Sequence, residues 1–135
     1  MSPKDVVSAF YNSDLAKDDN AIDLVHEQCQ LHWNSSKGFT KLNYEGIKSM
    51  LKGLKKAYLS FNYRLSHLLE DGNMVTARYT IHVTPIESPE LEQEPLAHFI
   101  SIWEVKDNKL YRCYEISQLA DDSRDSLDSY AEIKI

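Results

Sequence analysis

The chain has 135 residues, 42% of them hydrophobic and 27% charged, and a formal net charge of −6. That length fits one domain with a core large enough to fold without disulfides or a structural metal. Fifteen basic residues against 21 acidic ones argue against a nucleic-acid partner, no apolar run reaches the ~20 residues that span a bilayer, and two isolated cysteines, Cys29 and Cys113, make no secreted disulfide scaffold.

Met1-Ser2-Pro3-Lys4-Asp5 lacks the apolar stretch of a secretory leader, so the expected compartment is the cytoplasm. Ser2 is placed to cap a first helix, with Pro3 at its first position and Asp5 near the positive end of the dipole. Val7, Phe10, Tyr11 and Leu15 share one face of it. The turn Lys17-Asp18-Asp19-Asn20 ends this helix and caps a short second one bearing Ile22, Leu24 and Val25. Cys29 to Asn34 reads as a short extended segment, followed by a polar loop through Ser35, Ser36 and Gly38. Asn43 caps a third helix whose stripe is Ile47, Met50, Leu51, Leu54 and Tyr58. Lys48, Lys52, Lys55 and Lys56 lie opposite that stripe and read as a solvated face.

From Leu59 the hydrophobic period changes from 3.6 to 2. Phe61, Tyr63, Leu65, His67 and Leu69 alternate up to the turn Glu70-Asp71-Gly72-Asn73, and Val75, Ala77, Tyr79, Ile81 and Val83 alternate on the next strand. Thr84 to Pro95 carries three prolines and reads as a loop. Leu96 to Val105 is a strand, turned at Lys106-Asp107-Asn108-Lys109 into a last one, Leu110 to Gln118. Residues 1–118 form one expected domain. Residues 119–135 form a polar tail that frays or packs only through Leu127, Tyr130 and Ile133. Helices segregated from an antiparallel meander mark α+β architecture, and a sheet bent around helices leaves an open-ended hollow suited to a ligand.

This order of elements resembles the nuclear transport factor 2-like superfamily over nearly the whole chain. Its members include ketosteroid isomerases, scytalone dehydratases and SnoaL-like polyketide cyclases. The resemblance implies a cone-shaped half barrel: three N-terminal helices on a curved, mixed, mainly antiparallel sheet, paired into a homodimer through the outer sheet face. Pro95-Leu96-Ala97-His98-Phe99 is similar to the ketosteroid isomerase segment in which a protonated Asp precedes His-Phe, with Ala97 in place of that Asp. Counting from the second helix, Asn34 falls near the isomerase's catalytic Asp and Phe10 near its oxyanion Tyr. An amide does not abstract a proton at neutral pH and alanine donates no hydrogen bond, which argues against that mechanism and leaves Tyr11 as the substitute donor. Tyr114-Glu115-Ile116-Ser117-Gln118 resembles the SnoaL-like His-Trp-Asp-x-x-Gln ending, which puts Glu115 at the acid/base Asp, one methylene longer.

The residues themselves also single out Glu115. Alternation groups Tyr111, Cys113, Glu115 and Ser117 on one face, and a carboxyl among apolar neighbours there would be driven toward a neutral pKa. The structural alternative is a Glu paired with Arg78 or Arg112. His32 and Asn34 share a face of the first strand, His32 as proton partner of Glu115 and Asn34 or Tyr79 polarising a carbonyl; the structural alternative for His32 is a strand histidine with its hydrogen bonds satisfied. Phe99 and Trp103 form an apolar wall, with Tyr79 and Tyr11 adding polar tips, a lining suited to a small apolar or aromatic molecule. Trp33 alternates away from His32 and is expected outside the pocket. His82 and His98 fall on the outer sheet surface. His98 lies out of phase with Glu115 and no HxH or HxxxH spacing exists, so no metal is expected; no phosphate loop, GxSxG or HExxH motif occurs, and no cofactor is expected. The expected function is small-molecule chemistry by cofactor-independent proton transfer, such as isomerisation, cyclisation or dehydration. The alternatives are a ligand-binding module without turnover and a dimeric interaction domain with a filled pocket.

Overall fold

The computed structural model describes residues 1–90, 93–121, 123–131 and 133–135. Helix α1, Pro3–Tyr11, begins with a capping box in which the Ser2 hydroxyl accepts from the Asp5 amide and the Asp5 carboxylate accepts from the Ser2 amide. It buries Val6, Val7, Phe10 and Tyr11. A 3-10 turn, Ala21–Leu24, leads into strand β1, Val25–Ser35, which hairpins into β2, Gly38–Asn43. Helix α2, Tyr44–Ala57, is capped by the Asn43 side chain accepting from the Gly46 amide, and it buries Ile47 and Leu51. Strands β3, Tyr58–Asp71, β4, Met74–Pro85, β5, Glu94–Lys106, and β6, Lys109–Leu119, then follow as a meander, and α3, Arg124–Ala131, closes the described chain.

The six strands form one open sheet in the order β2-β1-β6-β5-β4-β3. Only β1 and β6 run parallel; the other pairs are antiparallel. Helix α1 packs across β3 to β6 and α2 across β1 to β3, so both cover the same face and the core lies between them and the sheet. Three hydrogen bonds pin the chain after α1: the Asp14 carboxylate accepts from the Phe61 amide, the Leu15 amide donates to the Phe61 carbonyl, and Lys55 donates to the Asp18 carbonyl. Lys48, Lys52 and Lys56 remain exposed. No described helix is long and apolar enough to cross a membrane.

The helix arrangement differs from the expected three N-terminal helices. The second is a single 3-10 turn, and the third long enough to matter, α3, is C-terminal. Ile22, Leu24 and Val25 are too few apolar residues to stabilise a full α-helix, and β-branched Val25 begins a strand instead. Helix α3 docks on the outer sheet face through Tyr130, with the Arg78 guanidinium donating to the Ser129 carbonyl and Ser126 beside His98. Tyr130 stacks on His98 at 4.2 Å, and the Arg78 guanidinium sits 3.6 Å from the centre of that ring. Ile133, beyond α3, is exposed.

Two bulges also move side chains from one face to the other. In β3 the pairing shifts between Leu65 and His67, so buried Leu68 pairs with inward Ala77 and Leu69 is exposed, while Ser66, the extra residue, is buried and accepts from the outward Arg78 guanidinium. In β6 it shifts between Leu110 and Arg112. Leu110 is therefore fully buried, and Tyr111 lies outside beneath Arg112, whose guanidinium is 3.9 Å from its ring centre. Beyond each bulge a strict two-residue period fails.

Candidate functional site

A cavity of about 420 Å³ opens between the two helices and the inner sheet face, within the range of ordinary ligand pockets. Its walls are mostly apolar. α1 contributes Phe10 and Tyr11, α2 contributes Ile47, Met50 and Leu54, and β3 to β5 contribute Phe61, Tyr63, Tyr79, Phe99 and Trp103. The Tyr79 and Phe99 rings stack at 5.3 Å with planes 4° apart, and Trp33 stacks on the next side of Phe99 at 6.1 Å. Ser35, Ser36 and Lys37, from the β1–β2 turn, lie at the rim.

One carboxyl, Glu115, enters this apolar chamber. The Cys113 thiol donates to its Oε1 at 3.2 Å and the Ser101 hydroxyl at 3.5 Å. Burial pushes the acid up to about 7, against the opposing effect of those two hydrogen bonds. Behind Ser101 runs a buried relay. The Trp103 indole N–H donates to the Tyr11 hydroxyl at 2.8 Å, Tyr11 donates to the Tyr79 hydroxyl at 3.3 Å, and Tyr79 is 2.7 Å from Ser101. Burial is also the main reason that the phenols of Tyr11 and Tyr79 lie well above the ordinary tyrosine range, so both stay protonated. Neither arginine weighed as a partner reaches Glu115. Arg78 bonds the Ser66 hydroxyl and lies against Tyr130, while Arg112 donates to the Gln28 carbonyl.

A sequence profile described as the SnoaL-like domain matches residues 5–113. The chain belongs to the SnoaL-like domain family, within the nuclear transport factor 2-like superfamily. A search of curated protein sequences found no match. Among solved structures, IdmH from Streptomyces antibioticus, a candidate polyketide cyclase, is similar at a TM-score of 0.69 and 16% identity, over 87% of this chain and 92% of that one. TerC co-crystallised with polyporic acid is similar at a TM-score of 0.57 and 18% identity, over 96% and 98% of the two chains. An LEH-like epoxide hydrolase from M. tuberculosis is similar at a TM-score of 0.61 and 16% identity, over 87% and 82%. At such identities the likeness is one of fold. The matched stretch ends at residue 113, so what Glu115 does in this SnoaL-like chain is argued from its surroundings.

Of the residues singled out above, this SnoaL-like chain brings Glu115, Tyr79, Trp103, Phe99 and Tyr11 to one cavity. His32 and Asn34 are corrections, because they lie on the other side of the sheet. His32 stacks on Tyr114 at 4.9 Å, its Nδ1 is 3.2 Å from the Cys113 carbonyl oxygen, and Asn34 is exposed. The apolar phase of β1 explains this. Cys29 and Leu31 are buried in the core and Trp33 lines the cavity, which sends their polar neighbours out. Trp33, expected outside, therefore faces inward, where its indole donates to the Ser117 hydroxyl at 2.8 Å. Sequence reasoning gave no part to Ser101 or Tyr63, although both share the inward phase of residues it did name.

Proposed function

We propose that this SnoaL-like chain binds a flat, mainly apolar or aromatic molecule and moves a proton on it without a cofactor, with Glu115 as acid/base. The observation that carries the reading is one carboxyl, raised to about 7 by burial, on the wall of an aromatic cavity. Its Oε1 is occupied by Cys113 and Ser101. Oε2 has no partner among the described residues, and His82 Nδ1 is the one sealed orphan among their side-chain polar atoms, so Oε2 touches open space. In the proposed step Oε2 takes a proton from a carbon next to a carbonyl, and the C–H electron pair moves onto the carbonyl oxygen as an enolate. The protonated Glu115 then returns that proton, to the same carbon or to a conjugated one. A single group whose pKa lies near neutrality suits both halves of such a shuttle. The relay behind Ser101 positions Glu115, and Tyr11, Tyr79, Phe99 and Trp103 hold the substrate face to face.

The loss of His32 from the cavity favours a second reading, a binding module without turnover, because no imidazole faces Glu115. Exchange of the acidic C–H protons of 2-tetralone in D2O, followed by NMR, separates the two. The protein accelerates exchange and Glu115→Gln slows it about 100-fold or more while 2-tetralone still binds. Binding with exchange at the buffer rate leaves only the module.

The reading includes a homodimer through the outer sheet face. Supporting it, Ile100 pairs with Ile116 and Ile102 with Tyr114 across β5 and β6, and all four are 39–61% exposed. Ile100→Lys with Ile116→Lys is expected to give a folded monomer in analytical ultracentrifugation. A wild-type chain that sediments as a monomer removes this part.

A further inference from the structure

We infer that Tyr63, on β3, is the hydrogen-bond donor to the bound molecule, and that the ligand therefore carries a carbonyl oxygen on an aromatic frame. The inference rests on the proposed pocket and deepens it by naming the group that reads the substrate's polar atom.

The argument is a count of protons. With Glu115 ionised, Ser101 spends its hydroxyl proton on Oε1, so at the 2.7 Å contact Tyr79 must be the donor and Ser101 the acceptor. Tyr79 in turn accepts from Tyr11, and Tyr11 accepts from Trp103. Each hydroxyl in the relay has one proton, and each proton is committed inside the protein. A substrate carbonyl offered to Tyr11 or Tyr79 would have to break a link of the relay first. The residues that look best placed as oxyanion donors are thus already spent.

Tyr63 is different. Its ring packs on Tyr11 at 4.7 Å and on Tyr79 at 5.1 Å, so it stands beside the relay and not in it. No described residue makes a hydrogen bond with its hydroxyl. That oxygen is not sealed either, because the one sealed orphan among the described side-chain polar atoms is His82 Nδ1. The ring lines the cavity, so its O–H faces the open space a ligand would fill. Burial pushes the Tyr63 phenol well above the ordinary tyrosine range, with the nearby acidic groups of Tyr11, Glu115 and Cys113 adding to it, so it stays a donor at any physiological pH. Ser36, at the rim, and Ser117 and Tyr58 also keep an uncommitted O–H on the lining. Ser117 sits beside Trp33, and Tyr58 packs on Phe61 at the start of β3, whereas Tyr63 packs directly on the phenols that lead to Glu115. A carbonyl held by Tyr63 puts the substrate's developing oxyanion on one phenol and leaves its adjacent C–H to Glu115 Oε2.

Two naphthalenes of nearly the same shape test this: 2-acetylnaphthalene, which has a carbonyl, and 2-isopropenylnaphthalene, in which CH2 replaces that oxygen. Wild-type protein is expected to bind the ketone about tenfold more tightly than the alkene, Tyr63→Phe to bind the two equally, and Ser117→Ala and Tyr58→Phe to keep the preference. The carbonyl stretch of the bound ketone, shifted to lower frequency in wild type, returns toward its value in hydrocarbon in Tyr63→Phe. If Tyr63→Phe does not fold, Tyr63→3-fluorotyrosine, a stronger donor of nearly the same shape, lowers the stretch further. Equal binding of ketone and alkene by wild type overturns the assignment of Tyr63 and leaves the pocket standing. Loss of the preference in Ser117→Ala or Tyr58→Phe in place of Tyr63→Phe overturns it too, as does a stretch unmoved by either Tyr63 variant. Failure of wild type to bind either naphthalene removes the pocket reading itself.

Discussion

At Glu115 a carboxyl that ionises in the unfolded chain near 4.5 keeps its proton in the folded chain up to about 7. Between those values the folded state holds a proton that the unfolded state has lost, so this residue makes stability fall as pH rises from 4.5 through 7. Glu115→Gln removes the effect. The variant should match wild type at pH 4 and exceed it at pH 8 by on the order of 3 kcal/mol in urea denaturation, where no gain at pH 8 would show that the carboxyl is solvated. His82 works in the opposite sense. Burial, with the Arg64 charge and His98 adding to it, lowers it to about 4, so its contribution to stability is lost as pH falls from 6.5 through 4. Tyr79 is a different kind of residue, since its hydroxyl both accepts from Tyr11 and donates to Ser101. Tyr79→Phe strands both partners in a buried setting and is expected to cost about 1–3 kcal/mol in thermal unfolding. A cost under half of that would mean the relay contributes little. Glu115 was legible because its neighbours in strand phase, Cys113 and Ser117, are not charged. The place of His32 was not legible from its chemistry, because the apolar phase of Cys29, Leu31 and Trp33 decides which face of β1 turns inward.

The strands carry their own instructions for turning. The β5–β6 hairpin closes on Asp107 and Asn108, with φ of 55° and 59°, the pair of left-handed residues that a two-residue hairpin of matching twist requires. Asn108→Gly is expected to stabilise by about 0.5–1 kcal/mol and Asn108→Val to destabilise by at least about 1 kcal/mol, read as shifts in the urea midpoint. The same-sign shift in both would show that the turn is not held in that conformation. Polar turn residues made the β3–β4 and β5–β6 hairpins readable in the sequence, whereas the β1–β2 hairpin read there as a polar loop through Ser35, Ser36 and Gly38. The bulges at Ser66 and Tyr111 were not, because a bulge is a mismatch between two strands and neither strand records it alone. Helix α3 is a similar case. Residues 119–135 are polar, yet Tyr130 finds Arg78 and His98 on a surface built by β4 and β5. Tyr130→Ala should release α3 and speed amide exchange in residues 124–131 without lowering protection in β4; unchanged exchange would mean that the ring does not hold the helix.

For the molecule as a whole, two helices on one face of an open sheet leave room that side chains do not fill, and the aromatic lining keeps that room apolar. An apolar chamber raises the pKa of the Glu115 carboxyl inside it and shields the buried hydrogen bonds of the relay from competing water. The other sheet face, with Ile100, Ile102, Tyr114 and Ile116 exposed beside the docked α3, is where a second copy is proposed to sit. Composition and periodicity by themselves determined the class of fold and the inward sets of β4 and β5, and put Glu115 on one face of β6 with Cys113 and Ser117, because side chains alternate along a strand whatever its partner. Only the tertiary structure decided which face of β1 meets the cavity, where two strands lose their period, and which hydroxyls are already committed. Those depend on atoms brought together from strands and helices far apart in the chain, and a hydrogen bond is counted only once both of its ends are in place.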